Sequence, residues 1–189
     1  MSRLIVLGAV RMFQPIHGYD LRRELETWNV EEWANLSYGS IYFNLKTLAE
    51  LHLLEEVGTD QVGNRPARTT YQITAAGEAE FQALLRTFWW QEQKAIDPFS
   101  AALAFMPVLP REELIAALQH RAQVLRSGAQ GMEFTARVTL DDARAPHVAE
   151  VFWLMAARLK AEAAWADEAV DRLQKRERPW DTDTSGARR

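Results

Sequence analysis

The sequence of 189 residues contains no cysteine, which excludes disulfide bonds, thiolate metal ligands and a cysteine nucleophile. It has no apolar run near the roughly 20 residues that a membrane-spanning helix needs. The apolar run at 4–10 is too short and lacks a cleavage-site pattern, so we do not interpret it as a signal peptide. With 48% hydrophobic and 25% charged residues, these absences predict a globular protein of the cytoplasm.

Positive charge is also scarce. The formal net charge is −4, and residues 1–76 hold seven basic and nine acidic residues, which leaves that region at −2. This balance excludes a bulk polycation but leaves room for a local basic patch. It also predicts modest non-specific affinity for nucleic acid, because that affinity depends on how many phosphates are neutralised.

The motifs of common catalytic sites are absent as well. There is no glycine-rich phosphate loop, no nucleophile elbow and no His-x-x-x-His pair. The four histidines are scattered at 17, 52, 120 and 147. We therefore expect no enzyme activity, no metal and no cofactor. His17 is expected to cap a helix, and His52 is expected to lie in a core or an interface.

Helical periodicity is present, and it is interrupted once by β-type residues. Apolar spacing predicts a helix that begins near Leu4, a second over 19–28 and a third over about 38–53. Two β-branched or aromatic stretches around a turn-rich tip at 58–68 then predict a β-hairpin. Thr74 is expected to cap the helix that follows, because its side chain can accept a backbone N–H.

Two details of this region are also predicted. Residues 29–36 are interpreted as a connector or a short turn of helix. In the second helix Tyr19, Leu21 and Leu25 are expected to face inward.

From residue 97 onward the pattern is helical throughout. Pro110 suits the first turn of a long helix, and a last helix after Pro146 carries apolar residues from Val148 to Leu173. We expect this stripe to pack on the helix after Pro110 and on a second subunit. The predicted fold is mainly α with a small β-hairpin. It comprises a winged helix-turn-helix domain over 1–80, a helical dimerisation and possible effector domain over 81–178, and a tail over 179–189.

The third helix is the candidate DNA-reading element, because in a winged helix-turn-helix the third helix enters the DNA major groove. Its apolar residues share one side, and small, hydroxylated and aromatic residues share the other. Backbone amides at its start suit phosphate oxygens. Asn44 can pair with adenine, and Thr47 or Phe43 can touch a thymine methyl group. The predicted DNA contacts are Ser37, Tyr38, Gly39, Ser40, Tyr42, Phe43, Asn44, Lys46 and Thr47, with Arg65 and Arg68 on the wing.

Three stretches resemble one family. HGYDLRRELE at 17–26, SYGSIYFNLKTLAELHLLE at 37–55 and GNRPARTTYQITAAG at 63–77 resemble the PadR family of bacterial transcriptional regulators, over most of residues 4–80. The resemblance implies a homodimer that pairs through its C-terminal helices. It further implies binding to a pseudo-palindromic DNA operator, repression as the commonest role, and release by a small aromatic or phenolic effector.

The chain departs from the family motifs at two places. Phe43 stands where the family usually has proline, and Asn64 lengthens the wing tip. We therefore expect Phe43 and Asn44 to alter the base preference.

An effector site between the domains is a further prediction, with plain aromatic packing in the dimer core as its alternative. A ligand there is expected to change the spacing of the two recognition helices. The candidate residues are Trp89, Trp90, Phe105 and Trp153, with Arg121 as the cationic partner.

Other assignments also have alternatives. Tyr42 can pack between helix and wing instead of contacting DNA. Arg22 and Arg23 can balance nearby glutamates instead of reaching the DNA backbone. The alternative function is a winged-helix protein-interaction module without specific DNA binding.

Overall fold

The computed structural model describes residues 1–34, 36–60, 68–92, 97–142 and 144–176. The chain forms two compact units, Met1–Lys94 and Ala95–Arg189, whereas the sequence suggested a boundary after residue 80. The residues in question form a helix that packs on the first helix of the first unit. None of the helices in the described ranges is long and apolar enough to span a bilayer.

The described part of the first unit contains five helices and three short strands. They are α1 (Ser2–Phe13), β1 (Ile16–His17), α2 (Gly18–Thr27), α3 (Val30–Ala34), α4 (Tyr38–Glu50), β2 (Leu54–Asp60), β3 (Arg68–Ile73) and α5 (Ala75–Trp90). The short helical turn expected near residue 30 is therefore present as α3. The core of the unit is aliphatic, and its fully buried side chains include Val6, Leu7, Leu21, Leu25, Ile41, Leu45 and Leu48.

The sheet is antiparallel with the strand order β1-β3-β2, so the predicted hairpin has a third strand beside it. Ile16 lies opposite Tyr71, and the β2–β3 register runs from Leu54–Ile73 to Asp60–Arg68 with an irregularity between Glu56 and Gly58. A strand of two residues carries no alternating pattern, which is why the sequence did not indicate β1.

The junction between hairpin and α5 depends on Thr74 and Gly77. The Thr74 hydroxyl accepts the Gly77 N–H at 3.0 Å, as predicted for a cap, and donates to the His52 carbonyl at 2.8 Å. The Thr74 N–H donates to the Leu53 carbonyl at 3.1 Å. A Cβ atom on Gly77 would lie 2.9 Å from the Leu53 carbonyl carbon and closer still to its oxygen. Only glycine lets α5 begin this near to the chain leaving α4.

Predictions for three side chains differ from the structure. Tyr19 is exposed, because it follows the first residue of α2 on the solvent side. His52 is exposed and not buried with Leu48, because α4 ends at Glu50 and His52 adopts a left-handed backbone with φ of 57°. His17 does occupy the position before α2, but its side chain makes no cap; Nδ1 lies 2.9 Å from the Thr70 hydroxyl instead.

The described part of the second unit is helical. It consists of α6 (Pro98–Ala104), α7 (Arg111–Leu140) and α8 (Ala149–Gln174), with 3-10 turns at Met106–Val108 and Pro146–Val148. α7 and α8 pack along their length. Ala122, Ala129 and Ala136, seven residues apart, are buried in this seam. The apolar stripe of α8 therefore packs mainly on α7 of the same chain.

Candidate nucleic-acid interface

α4 has one buried side and one exposed side. Ile41, Leu45 and Leu48 are buried against the rest of the unit. At 100° per residue, the opposite side is formed by Gly39, Phe43, Lys46, Thr47 and Glu50, and we call these five residues the α4 front. Burial of the apolar side therefore fixes which residues α4 presents outward.

Phe43 dominates the α4 front. Its side chain is 71% exposed, the largest exposed fraction among the large hydrophobic residues of α4. Gly39, one turn earlier, has no atom within 4 Å of where a Cβ would stand. The start of the helix is therefore open to a backbone or phosphate group, and an aromatic ring protrudes beside it.

Two predicted contact residues lie at the edges of this front. The ring of Tyr42 packs on α2, since a Cβ on Gly18 would lie 3.1 Å from Tyr42 Cε1. The Asn44 amide Nδ2 donates to the Ser40 carbonyl at 2.8 Å. Tyr42 thus packs on α2, and Asn44 has one of its two amide donors engaged by its own helix.

The start of α4 is held by further hydrogen bonds. Ser37 is the N-cap residue, and its carbonyl accepts both the N–H and the hydroxyl of Ser40, at 2.9 and 2.7 Å. The Arg22 guanidinium lies 5.3 Å from the Tyr38 ring centroid. Burial, followed by the nearby Glu31 and Glu26 carboxylates, raises the pKa of Tyr38 above its usual value. The phenol therefore stays protonated and able to donate a hydrogen bond.

Most described cations of the first unit are paired with carboxylates. Arg3 pairs with Glu80 at 2.9 Å, Arg11 with Glu78 at 2.7 Å, Arg22 with Glu26 at 2.6 Å and Lys46 with Glu50 at 3.9 Å. Arg23 is exposed on α2. Arg65 lies outside the described residues, and Arg68 begins β3 opposite Asp60. Among the described side chains of the first unit, little positive charge is therefore left without a carboxylate partner.

The five candidate effector residues do not form one cluster within either unit. Trp89 and Trp90 end α5 with 80% and 86% of their surfaces exposed, and with Gln82, Leu85 and Arg86 they line a shallow depression. Phe105 follows α6 and is exposed. Trp153, on α8, is half-buried with its ring centroid 6.0 Å from the Arg137 guanidinium.

Arg121 alone of the five lines a half-open cavity in the second unit. We call this space of about 520 Å³ the α6–α7 cavity; its lining includes Phe99, Leu103, Met106, Leu114, Leu118 and Arg121. The Arg121 guanidinium lies 3.6 Å from the Phe99 ring centroid and pairs with Glu162 at 2.5 Å. Arg121 was a candidate from the sequence, and the four-residue spacing of Leu114 and Leu118 after the proline-bounded α6 was a signal for the rest of this lining.

The sequence of the first unit matches a known protein family. Residues 6–83, which contain α2, α4 and the hairpin, match the model of the transcriptional regulator PadR-like family. The first unit is a PadR-like domain. The resemblance predicted from the three motifs is therefore confirmed, and so is the mainly helical winged fold. The proteins of that family are transcriptional regulators.

Solved structures with a PadR-like fold cover nearly the whole chain. PadR of Bacillus subtilis bound to operator DNA has a TM-score of 0.70 at 17% identity, over 89% of this chain and 96% of that one. The same protein bound to p-coumaric acid has a TM-score of 0.69 at 15% identity, with the same coverage. The Vibrio cholerae virulence activator AphA has a TM-score of 0.61 at 19% identity, over 93% and 99%. No curated protein sequence matches the chain.

Proposed function

We propose that this PadR-like protein is a ligand-responsive regulator of the cytoplasm, which binds a pseudo-palindromic DNA operator as a homodimer and represses transcription. The observation that carries the proposal is the α4 front. Its partly polar, open surface stands opposite a fully buried apolar side, in a PadR-like domain. A helix of this kind fits the major groove, which is wide enough to admit one.

The proposed contacts fall into two classes. Hydroxyls and amides at the start of α4, together with Lys46 and the wing arginines, position the domain on phosphates, while α4 side chains meet base edges. The residues are Ser37, Tyr38, Gly39, Ser40, Tyr42, Phe43, Asn44, Lys46 and Thr47, with Arg65 and Arg68 on the wing.

Binding to the DNA upstream of the protein's own gene, measured across a salt series, tests this function. Tyr42→Phe removes the hydroxyl but keeps the ring on Gly18, and Lys46→Gln removes one cation from the α4 front. Arg126→Gln on α7 removes the same charge from the second unit and serves as the control. We expect weaker DNA binding by the first two variants only. If the parent forms no specific, salt-sensitive complex, the proposal fails and a protein-interaction module is favoured. The ion pairs of the first unit are compatible with such a module, because they leave fewer cations to bind phosphates.

An exposed apolar face on α7 supports the homodimer. Val124, Gly131, Phe134 and Val138 lie at seven-, three- and four-residue spacings on the side away from α8, and we call them the α7 outer stripe. Phe134 is 65% exposed, and nothing lies within 4 Å of a Cβ on Gly131. A heptad-spaced apolar stripe with a small residue suits close packing against a second helix. A two-fold dimer would place two copies of α4 about 34 Å apart on DNA, one helical turn.

Phe134→Glu tests the dimer by sedimentation. We expect a monomer with unchanged helix content and reduced DNA affinity. Val108→Glu, an equally drastic change at an exposed site off the stripe, should remain dimeric. A dimeric Phe134→Glu variant would remove the stripe from the interface.

The proposed effector is a small aromatic molecule, and the α6–α7 cavity supports it. The cavity is lined mainly by apolar and aromatic side chains, as ligand sites usually are. Because Arg121 already pairs with Glu162 and lies over Phe99, the cavity favours an uncharged ligand over a carboxylate. The Trp165 ring lies 6.0 Å from the Phe99 ring, so its fluorescence should report occupancy.

Titration with p-coumaric acid and with its neutral methyl ester tests the ligand class. We expect the ester to bind more tightly, and Ala117→Phe, at the cavity wall, to block it. Ala116→Phe on the neighbouring exposed position is the control. A preference for the acid would contradict the charge argument.

Release from DNA requires that the effector bind the two shapes of the dimer unequally. Its affinity should therefore be higher for free protein than for the operator complex. Equal affinities would exclude the proposed change in half-site spacing.

A further inference from the structure

Few polar groups on α4 remain available to read bases. The Asn44 amide donates to the Ser40 carbonyl, and the Ser40 hydroxyl donates to the Ser37 carbonyl. Lys46 has the Glu50 carboxylate 3.9 Å from its ammonium, and Thr47 is half-buried. Part of the hydrogen-bonding capacity of α4 is thus used within the helix, and direct recognition of bases needs another type of contact.

Phe43 can make such a contact through its apolar ring. The ring projects from the middle of the α4 front, 71% exposed, and Gly39 leaves the space one turn earlier empty. In the major groove the apolar group that a base pair offers is the C5-methyl of thymine. An aromatic ring that leaves water gains free energy only where it meets an apolar partner.

We propose that Phe43 sets the base preference of this protein by packing on a thymine methyl group in each half-site. The inference rests on the proposed DNA-binding function and adds the residue and the base that carry its specificity. It also identifies Phe43, and not Thr47, as the side chain in contact with the methyl.

The expected effect follows from one methyl group. Uracil pairs as thymine does but lacks the C5-methyl. Loss of one buried methyl corresponds to about a four-fold loss of affinity per half-site. On two half-sites the loss becomes about sixteen-fold, since independent contributions add in free energy.

The test begins with the tightest duplex that full-length protein selects from a random library. Each thymine is replaced singly by uracil, and affinities are measured for the parent, Phe43→Ala and Thr47→Ser. Thr47→Ser removes the neighbouring methyl and is the matched control. We expect one position per half-site at which uracil lowers the DNA affinity of the parent and of Thr47→Ser about four-fold. At the same position, uracil should leave the DNA affinity of Phe43→Ala unchanged.

Other outcomes overturn the assignment in distinct ways. If no thymine in a specific duplex is sensitive to uracil, or if Phe43→Ala keeps the discrimination, Phe43 does not read thymine. If Thr47→Ser abolishes the discrimination, the contact belongs to Thr47. If selection recovers no duplex above random DNA, the proposed DNA-binding function itself fails. Thermal melting by circular dichroism checks that Phe43→Ala is folded, as its exposed position predicts.

Discussion

Gly77→Ala should destabilise the PadR-like domain far more than the loss of one hydrogen atom suggests. The new Cβ would stand 2.8 Å from Ile73 Cγ1 and 2.9 Å from the Leu53 carbonyl carbon. That carbonyl accepts the Thr74 N–H at 3.1 Å, and the Thr74 hydroxyl accepts the Gly77 N–H at 3.0 Å. Moving α5 away to make room would stretch both hydrogen bonds, because both bridge the same junction.

The size of the effect can be worked from these contacts. Overpacking a tight site costs about 1–3 kcal/mol, and two weakened hydrogen bonds cost about 1 kcal/mol each. The sum is about 3–5 kcal/mol, a large share of the roughly 5–15 kcal/mol that stabilises a typical domain. We therefore expect a much lower urea midpoint and loss of DNA binding.

Gly39→Ala is the matched control within the same unit. A Cβ on Gly39 meets no atom within 4 Å, and alanine is favoured over glycine in a helix by up to about 1 kcal/mol. This variant should be as stable as the parent or more stable, but bind DNA less tightly, since its methyl group occupies the open start of α4. The two midpoints are measured by urea denaturation followed by circular dichroism. Equal midpoints for the two variants would refute the proposed contact between α5 and the chain leaving α4.

Three further predictions concern packing, charge and pH. Phe152→Ala should lower the free energy of unfolding by about 3–5 kcal/mol in guanidinium denaturation, because this ring on α8 is fully buried. Lys46→Gln should reduce the slope of log affinity against log salt by about two for a dimer, whereas Glu50→Gln should raise DNA affinity; unchanged slopes would place both residues away from phosphate. Hydrogen bonding, first from Arg11, holds the pKa of Glu78 below its usual 4.5. The ionised Glu78 carboxylate therefore stabilises the folded protein above pH 4.5, and this stabilisation is lost as pH falls through the lower pKa that Glu78 has in the folded protein. Glu78→Gln should therefore lose less stability than the parent between about pH 6 and pH 3.

The sequence predicted those elements whose signals are local. Ile41, Leu45 and Leu48 share a helical face, and Thr74 stands directly before a helix, so burial of the first three and capping by the fourth needed no tertiary information. The PadR-like motifs likewise lie within short stretches. These features account for the confirmed winged fold and for the position of α4.

The features that were missed depend on distant parts of the chain. β1 exists because β3, more than 50 residues later, offers it a partner, and His17 turns toward Thr70 for the same reason. The amide bond from Asn44 to Ser40 competes with base pairing in a way that residue type alone does not reveal. The α6–α7 cavity forms only when α6 folds against α7, so its lining has no contiguous motif.

α7 also has a mechanical consequence. It is one uninterrupted helix of 30 residues, about 45 Å long at 1.5 Å per residue. The α6–α7 cavity lies along its first half, and the α7 outer stripe begins beside the cavity at Val124 and continues along the second half. Because α8 packs along it through small alanines, α7 can act as a stiff lever: a tilt of about 5° at one end displaces the other by about 4 Å over this length. A displacement of that size is comparable to the spacing between successive base pairs, about 3.4 Å.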